Sequence, residues 1–483
     1  MNTTVQTRSV SLNGYAPVQP QRVLQISGLP VPVRIAWNTP RQLWAFAAAI
    51  VAASTLFCFA SIHAVTKSRE AITSVSVSCA PSIVAAQQVR AWLADYDANQ
   101  SNLLLCDPAS KEGKQAAKDA QGRHRQIAQT LVEAATHITF GDSERIPINT
   151  LVDGFASYEA LMTKAQALQG KGDTASALAI SRDANALMQQ TIIPAAETLD
   201  RVNSTELDSV YRRQRFDAQG AIAILIVTGL ITIGLLVSAQ FYLMRKTRRI
   251  LNPALLAATT IALFQLGNST IQNLHAAHQL RVAVDDAFGS VHALWKARAT
   301  GFDANSEESR YLFDRAHAAT ADRAFFEKTK EIASIPPGMN VDTITRMVRS
   351  ESTLPGSFTG HLADEMHNLT FPGEREAAID ALETFERYVA IDSKIRRFEK
   401  DGAHTEAVRL CLSFDAGGSN SAFDDYDHAL DRVIAINQGA FDNACQSSLS
   451  TLARGEWTIG IATLLAIAGT LVGIWPRIRE YYV

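Results

Sequence analysis

The chain has 483 residues, of which 47% are hydrophobic and 19% are charged. This composition argues against a purely soluble protein, because the apolar residues are concentrated in a few long uncharged blocks. The length is sufficient for two or three domains.

The first predicted element is a leader at residues 1–40. It is rich in Pro, Gln and Val, and its region carries four arginines and no acidic residue: Arg8, Arg22, Arg34 and Arg41. Such a segment predicts disorder. It is far longer than the charged n-region of a cleavable signal peptide, so the apolar block after it is interpreted as a membrane anchor.

Three apolar blocks follow at Leu43–Val65, Ala221–Met244 and Trp457–Trp475. Each contains no Lys, Arg, Asp or Glu and is roughly long enough to cross a ~30 Å hydrocarbon core. A fourth block, Leu251–Leu266, is shorter and contains threonine, and its hydropathy alone does not decide between a span and a buried helix. We predict spans at 41–65, 219–244, 251–270 and 456–476.

Basic residues decide the predicted orientation. The leader, the turn at 245–250 ("RKTRR" and Ile250) and the tail at 477–483 carry about +4, +4 and +1, and positively charged short loops face the cytoplasm. This requires four crossings, so the fourth block must span. Because the net charge is −3, the rest carries about −12. We therefore expect a multi-pass protein of the cell membrane with both termini in the cytoplasm.

Two echoes predict a tandem repeat of span, outer domain and span. "YDANQSNLLL" at Tyr96–Leu105 returns as "FDANSEESRYL" at Phe302–Leu312, at a similar distance from the preceding span. "GDTASALA" from Gly172 likewise returns as "GAHTEAVRL" from Gly402. The role of the repeated residues Asp97, Asn99, Asp303 and Asn305 is unknown. For the two aspartates a solvated face or a helix cap is favoured over an inward polar layer.

The expected fold is an all-α membrane protein with two extracytoplasmic helical domains at 66–218 and 271–455. In the first domain an apolar face recurs at helical spacing from Phe155 to Leu168, "GKGD" ends that helix, and Thr174 caps or opens the next. Long helices with short turns favour a four-helix bundle. Pro194 is expected to kink the descending helix, and a proline-containing irregular insert is expected at Ile335–Phe371.

The cysteines of the two domains form a membrane-proximal and a distal set. Cys79 and Cys445 lie near the spans, whereas Cys106 and Cys411 lie far from them. A disulfide needs Cα atoms within about 7 Å, so height above the membrane favours cross-links between the domains. Free thiols are an equally open alternative.

Catalytic motifs are absent from the sequence. It contains no P-loop, G-x-S-x-G, HExxH or CxxC pattern. His275 and His278 are interpreted as surface residues, and the histidines of "HLADEMH" have spacing unsuited to zinc. We expect no enzyme activity, no cofactor and no nucleic-acid partner, with the basic turn contacting the lipid bilayer.

Four stretches resemble bacterial four-span membrane proteins of the GlnX type: "LADYDANQSNLLL", "YEALMTKAQALQGKGDTASALAISRDANALMQQTIIPAAETLD", "RRILNPALLAA" and "NLTFPGEREAAIDALETFERY". The resemblance extends from about Arg41 to the C-terminus. It implies a relay of amino-acid availability from an extracytoplasmic solute-binding lipoprotein to a cytoplasmic serine/threonine kinase, protein kinase G. The cysteines and the leader depart from the pattern.

Two functions remain open from the sequence. The first is a membrane sensor whose outer domains bind a ligand or a binding protein and transmit small helix shifts through the spans. The alternative is an envelope scaffold that does not switch. A homo-oligomer is compatible with either function.

Overall fold

The computed structural model describes residues 39–136, 138, 141–247 and 251–480, and its regular elements are helices. An isolated antiparallel bridge joins Ser334 and Thr359. The predicted all-α fold is therefore confirmed. Residues 1–38 of the predicted leader, residues 248–250 of the basic turn and the end of the tail lie outside the described residues, whereas residues 39 and 40 of the leader begin the first helix.

The first half is built from two long helical rods with two helices between them. The helices are α1 (Thr39–Thr73), α2 (Ala80–Leu105), α3 (Lys111–Thr136), α4 (Asp142–Gly170), α5 (Thr174–Leu187) and α6 (Ile193–Thr247). The outer parts of these helices form the first helical domain, with the four-helix plan expected from the sequence.

The second half repeats this order with additional short helices. Its elements are α7 (Pro253–Arg281), α8 (Gly289–Phe313), a 3-10 turn (Arg315–His317), α9 (Ala318–Ile332), α10 (Val341–Arg349), α11 (His361–His367), α12 (Glu374–Lys400), α13 (His404–Leu412) and α14 (Ser419–Arg479). The segment between α9 and α12 is the predicted irregular insert, although it contains α10 and α11. Helix α9 was not predicted from the sequence.

Glycine turns explain the second echo. Gly172 and Gly402 have φ of +83° and +78°, values that L-residues with a side chain rarely adopt. Each precedes the start of a new helix, α5 and α13. The α5 cap is Asp173, whose side chain accepts a hydrogen bond from the Ser176 backbone N–H, so Thr174 opens this helix and does not cap it.

Three π-helical turns interrupt the long rods, at Ser74–Cys79, Met188–Ile192 and Val282–Phe288. Pro81 follows the first turn and Pro194 the second. Because proline lacks an N–H and crowds the carbonyl four residues earlier, the preceding turn widens. A kink was predicted at Pro194, and the structure has a π turn just before this residue, at Met188–Ile192. The first and third turns occupy corresponding places in the two rising rods.

Four helices are long and apolar enough to cross a membrane, within Thr39–Leu105, Thr174–Lys246, Pro253–Phe313 and Ser419–Arg479. The chain is therefore a multi-pass membrane protein, and the doubtful third span is an apolar helix. In the four-span bundle α1 packs on α6 and α14, and α7 packs on α14 and α6. The exact span boundaries stay predictions.

Beyond the spans the two helical domains pack side by side. The main contact is between α2 and α8. These two helices run in the same direction, as the contacts of Ser101 with Ser306 and of Asn102 with Ser309 show. A shared hydrophobic cluster near the spans joins both halves through residues such as Ile72, Leu207, Phe288 and Phe441. Motion of one domain therefore strains contacts with the other.

Candidate functional site

The α2–α8 interface contains the repeated motif, and it is polar although it is buried. Asp97 is 1% exposed and Asp303 is 0% exposed. The favoured sequence interpretation, a solvated face or a cap, was therefore wrong for both residues. Each aspartate lies between helices because α2 and α8 are covered on several sides by other helices, which removes any solvent-facing side at this height.

Asp97 accepts hydrogen bonds from three side chains. The Tyr158 hydroxyl of α4 donates to Oδ1 at 2.6 Å, and the Ser306 hydroxyl of α8 donates to Oδ2 at 2.6 Å. The Arg310 guanidinium also donates to Oδ2. Burial and the adjacent carboxylate raise the pKa of Tyr158 well above its usual value, so this hydroxyl remains a donor. Asp97 thus connects α2, α4 and α8.

Asp303 is held by two cations from different helices. Arg90 Nη2 of α2 donates to Oδ2 at 2.5 Å, and Lys328 Nζ of α9 lies 3.3 Å from the same oxygen. Burial alone would raise the pKa of Asp303, but the charges of Arg90 and Lys328 outweigh it and lower the pKa below its usual value. The carboxylate is therefore ionised at neutral pH.

The two ion pairs break the symmetry of the repeat. Arg90 lies seven residues before the first aspartate, whereas Arg310 lies seven residues after the second. Each aspartate is therefore neutralised by the opposite helix, from below in one case and from above in the other. Both pairs join residues 213 positions apart, so they slant in the same direction between α2 and α8, and sliding of one helix along the other disturbs both buried pairs together.

Further ion pairs join the two domains away from the motif. Asp200 of α6 lies 2.8 Å from His292 Nε2 and 3.6 Å from Lys296 Nζ of α8. Arg182 of α5 donates twice to Asp314 at 2.7 Å. The descending helices of the first domain are thereby tied to the rising helix of the second.

Asn99 and Asn305, the other repeated residues, face away from these ion pairs. Both line a cavity between the two domains. The Asn99 Nδ2 donates to the Asp95 carboxylate at 2.7 Å. The motif thus combines an aspartate for the helix interface with an asparagine for the cavity.

The cysteines are free thiols in the structure, including Cys79, Cys106, Cys411 and Cys445. Cys79 and Cys445 lie in the same hydrophobic cluster near the spans, and burial raises the pKa of both thiols. The predicted cross-links between domains stay predictions.

Metal ligands do not converge in the described part of the chain, where no group of three or more His, Cys, Asp or Glu side chains could hold an ion. His361 of "HLADEMH" begins α11, and burial together with nearby Lys296 lowers its pKa to about 4. This imidazole is therefore neutral near pH 7.

A row of polar residues on α7 faces the interior of the bundle and was not predicted from the sequence; it is called the polar seam. Gln265, Ser269 and Asn273 are spaced four residues apart and are all buried. Asn273 accepts a hydrogen bond from Ser68 of α1 at 2.8 Å, and Gln265 accepts one from Thr463 of α14 at 3.3 Å. The i, i+4, i+8 spacing was the available signal. These polar residues also explain why the mean hydropathy of this span is low.

A family model described as an actinobacterial sensor domain matches residues 71–212. The match begins just before the first π turn and covers the first helical domain to the outer part of α6. Comparisons with curated proteins and with solved structures gave no match. The chain is thus a multi-pass helical membrane protein whose first helical domain is similar to a bacterial sensor domain.

Proposed function

We propose that this protein is a membrane sensor that relays an extracytoplasmic signal to a cytoplasmic partner such as a kinase. The observation that carries the proposal is the continuity of its helices. Each of the four spans extends into a helical domain, and α14 alone runs unbroken for 61 residues, about 90 Å at 1.5 Å per residue. A displacement in either domain therefore reaches the opposite side of the bilayer without crossing a flexible linker.

The orientation in this proposal follows from charge. The arginines near the N-terminus, the basic turn between α6 and α7 and the arginines at the end of α14 would lie in the cytoplasm. Both helical domains would then lie outside. A soluble kinase would contact only these short basic segments, and an extracytoplasmic solute-binding lipoprotein would contact the helical domains.

The α2–α8 interface is the switching element in this proposal. Packed helices shift by about 1–2 Å in known transitions, and such a shift would rearrange the buried Asp97 and Asp303 ion pairs. The polar seam of α7 would transmit the change, because Asn273 contacts α1 and Gln265 contacts α14. Polar groups inside a span commonly have functional roles.

The proposal is tested by affinity purification of the tagged full chain from the native membrane, followed by mass spectrometry. Recovery of a solute-binding lipoprotein together with a kinase is the expected result. An Asp97→Asn variant, compared with the surface control Asp425→Asn, should change the amount of kinase recovered without loss of the protein from the membrane. Recovery of structural envelope proteins alone, unchanged in both variants, would support the scaffold instead.

A topology measurement tests the orientation separately. Single cysteines introduced into a chain whose five native cysteines are replaced can be labelled with a membrane-impermeant maleimide. A cysteine in the turn at 245–250 should be labelled only after the membrane is opened, whereas one at exposed Lys171 should be labelled in intact cells. The reverse pattern would overturn the proposed direction of signalling.

A further inference from the structure

A cavity of about 680 Å³ lies between the two helical domains, at the level of the repeated motif. Its walls come from α2 and α3 of the first domain and from α8 and α14 of the second. Its size is in the range of small-molecule sites, which often lie at domain boundaries. Because neither domain forms it alone, occupation of the cavity depends on how the two domains are arranged.

Four carboxylates from three helices converge on this cavity: Asp95, Asp119, Asp424 and Asp427. Asp95 pairs with Arg123, and Asp427 accepts from Arg298 Nε at 2.5 Å. The other two form no ion pair with the described residues, although His428 lies near Asp424. Asp119 accepts only from the neutral Gln115 amide, and Asp424 forms no hydrogen bond or ion pair with the described residues. Two carboxylates thus remain available to a ligand.

The pKa values support this convergence. Contact with the surrounding protein, followed by the charge of Asp427, raises the pKa of Asp424 to about 6, although part of this side chain is exposed to solvent. Burial also raises the pKa of Asp95 to about 6 despite its pairing with Arg123. Like charges so close together favour a bound cation. Lys118, Arg125 and His428 also line the cavity, and their side chains are exposed to solvent, as is that of Asp424.

Buried asparagines give a second, independent indication of a ligand. Asn99 and Asn420 are each more than nine-tenths buried and line the cavity. Asn99 donates through Nδ2 to Asp95, and Asn420 donates through Nδ2 to the Leu412 carbonyl at 3.1 Å. Their Oδ1 atoms receive no hydrogen bond from the described part of the chain. Two amide oxygens are therefore left as acceptors for a ligand donor.

An aromatic wall completes the site. Phe302 and Phe423 pack with ring centroids 4.9 Å apart, and both line the cavity. The Arg123 guanidinium already lies 5.9 Å from the Phe302 ring centroid, so this surface tolerates a cation. Carboxylate and amide oxygens beside aromatic rings fit an ammonium group on a short carbon body.

We propose that this cavity binds a small organic amine, with its ammonium group held by Asp119, Asp424 and the two asparagine oxygens. A metal ion fits less well, because no described group of His, Cys, Asp and Glu has metal-binding geometry. The inference deepens the proposed function, on which it rests for its role, since a ligand that bridges the domains would set the α2–α8 contact.

The test is calorimetric titration of the purified full chain in detergent with 1,4-diaminobutane. Butyrate, 1-butanol and calcium chloride serve as anionic, neutral and metal controls. Binding of the diamine alone is expected. Asp424→Asn should weaken it by at least about tenfold, as loss of a charge-assisted hydrogen bond does. Its neighbour Asp425, which pairs with Arg387 outside the cavity, provides the matched control Asp425→Asn.

Several outcomes would overturn the assignment: no heat from the diamine, preference for butyrate or calcium, or equal losses in the two variants. Because Asp424 has no partner in the described chain, misfolding of its variant is not expected, and circular dichroism checks this. Failure of diamine binding with normal capture of the kinase would refute only the cavity assignment. Diamine binding without any captured partner would instead count against the proposed sensor.

Discussion

Replacement of Asp97 by alanine should strongly destabilise the protein. The change removes the acceptor of three hydrogen bonds and leaves the buried Arg310 guanidinium with Glu307 as its remaining ion-pair partner, at 2.8 Å. Breaking a buried pair by removing one partner typically costs ~3–5 kcal/mol. Because Glu307 compensates in part, we expect about 3 kcal/mol.

The control is the surface pair of Arg387 and Asp425, whose side chains are both 56% exposed. Asp425→Ala should cost ~0–1 kcal/mol, as exposed pairs generally do. Thermal unfolding of the full chain in detergent, followed by circular dichroism, measures both. At ~2–4 °C per kcal/mol for domains of this size, Asp97→Ala should lower Tm by roughly 6–12 °C.

A double variant measures the coupling between Asp97 and Arg310 directly. Arg310→Met combined with Asp97→Ala removes both charges, so its loss should be smaller than the sum of the two single losses. Additive losses, or an Asp97→Ala variant as stable as Asp425→Ala, would refute the view that a buried ion pair joins α2 and α8.

Three further predictions concern other parts of the chain. Burial beside Glu374 raises the pKa of Glu365 to about 8, so the folded state retains a proton that the unfolded chain loses above its usual pKa near 4.5. Stability should therefore fall as pH rises from about 4.5 to 8, and Glu365→Gln should flatten this slope in melts across that range by on the order of a few kcal/mol; an unchanged slope would contradict the assignment. In the second span, a Cβ at Gly229 would lie 2.7 Å from Leu266 and 2.9 Å from Phe57, whereas Gly234 has free space. Gly229→Val should cost ~1–3 kcal/mol and Gly234→Val almost nothing, and equal Tm values would count against the close packing. Asn273→Leu should lower the free energy of unfolding by only about 0.6–2 kcal/mol, measured by thermal melting. The same variant should clearly reduce the amount of kinase recovered by affinity purification, and unchanged recovery would contradict the role of the polar seam.

Features that depend on one helix and its ends, such as apolar spans and glycine turns, could be predicted from the sequence. Three spans were predicted from long segments without charged residues. The positions of the basic segments required a fourth span at Leu251–Leu266, and the structure has an apolar helix there. The glycines before α5 and α13 were recognised because positive φ depends on the local residue.

Properties that depend on two elements were not predictable in this way. Asp97 and Asp303 were expected in solvent because a charged residue on one helix carries no information about the helix that covers it. Their partners lie 213 residues away in each case, Arg310 and Arg90. The cavity likewise needs residues of both domains, and its walls from α3 and α14 lie outside the repeated stretches.

The first and third π turns affect which helices pack against the two rising rods, α1–α2 and α7–α8. In the bilayer α1 and α7 stand on opposite corners of the bundle, yet their continuations α2 and α8 are the closest partners outside. One extra residue in a helix re-aims every later side chain by about 100°. A widened turn beyond the apolar span in each of these two rods therefore allows the helix to present one face to the other spans and a different face to the neighbouring helical domain. Deleting a single residue from Ser74–Cys79 would turn the Asp97 face away from its counterpart without touching a span.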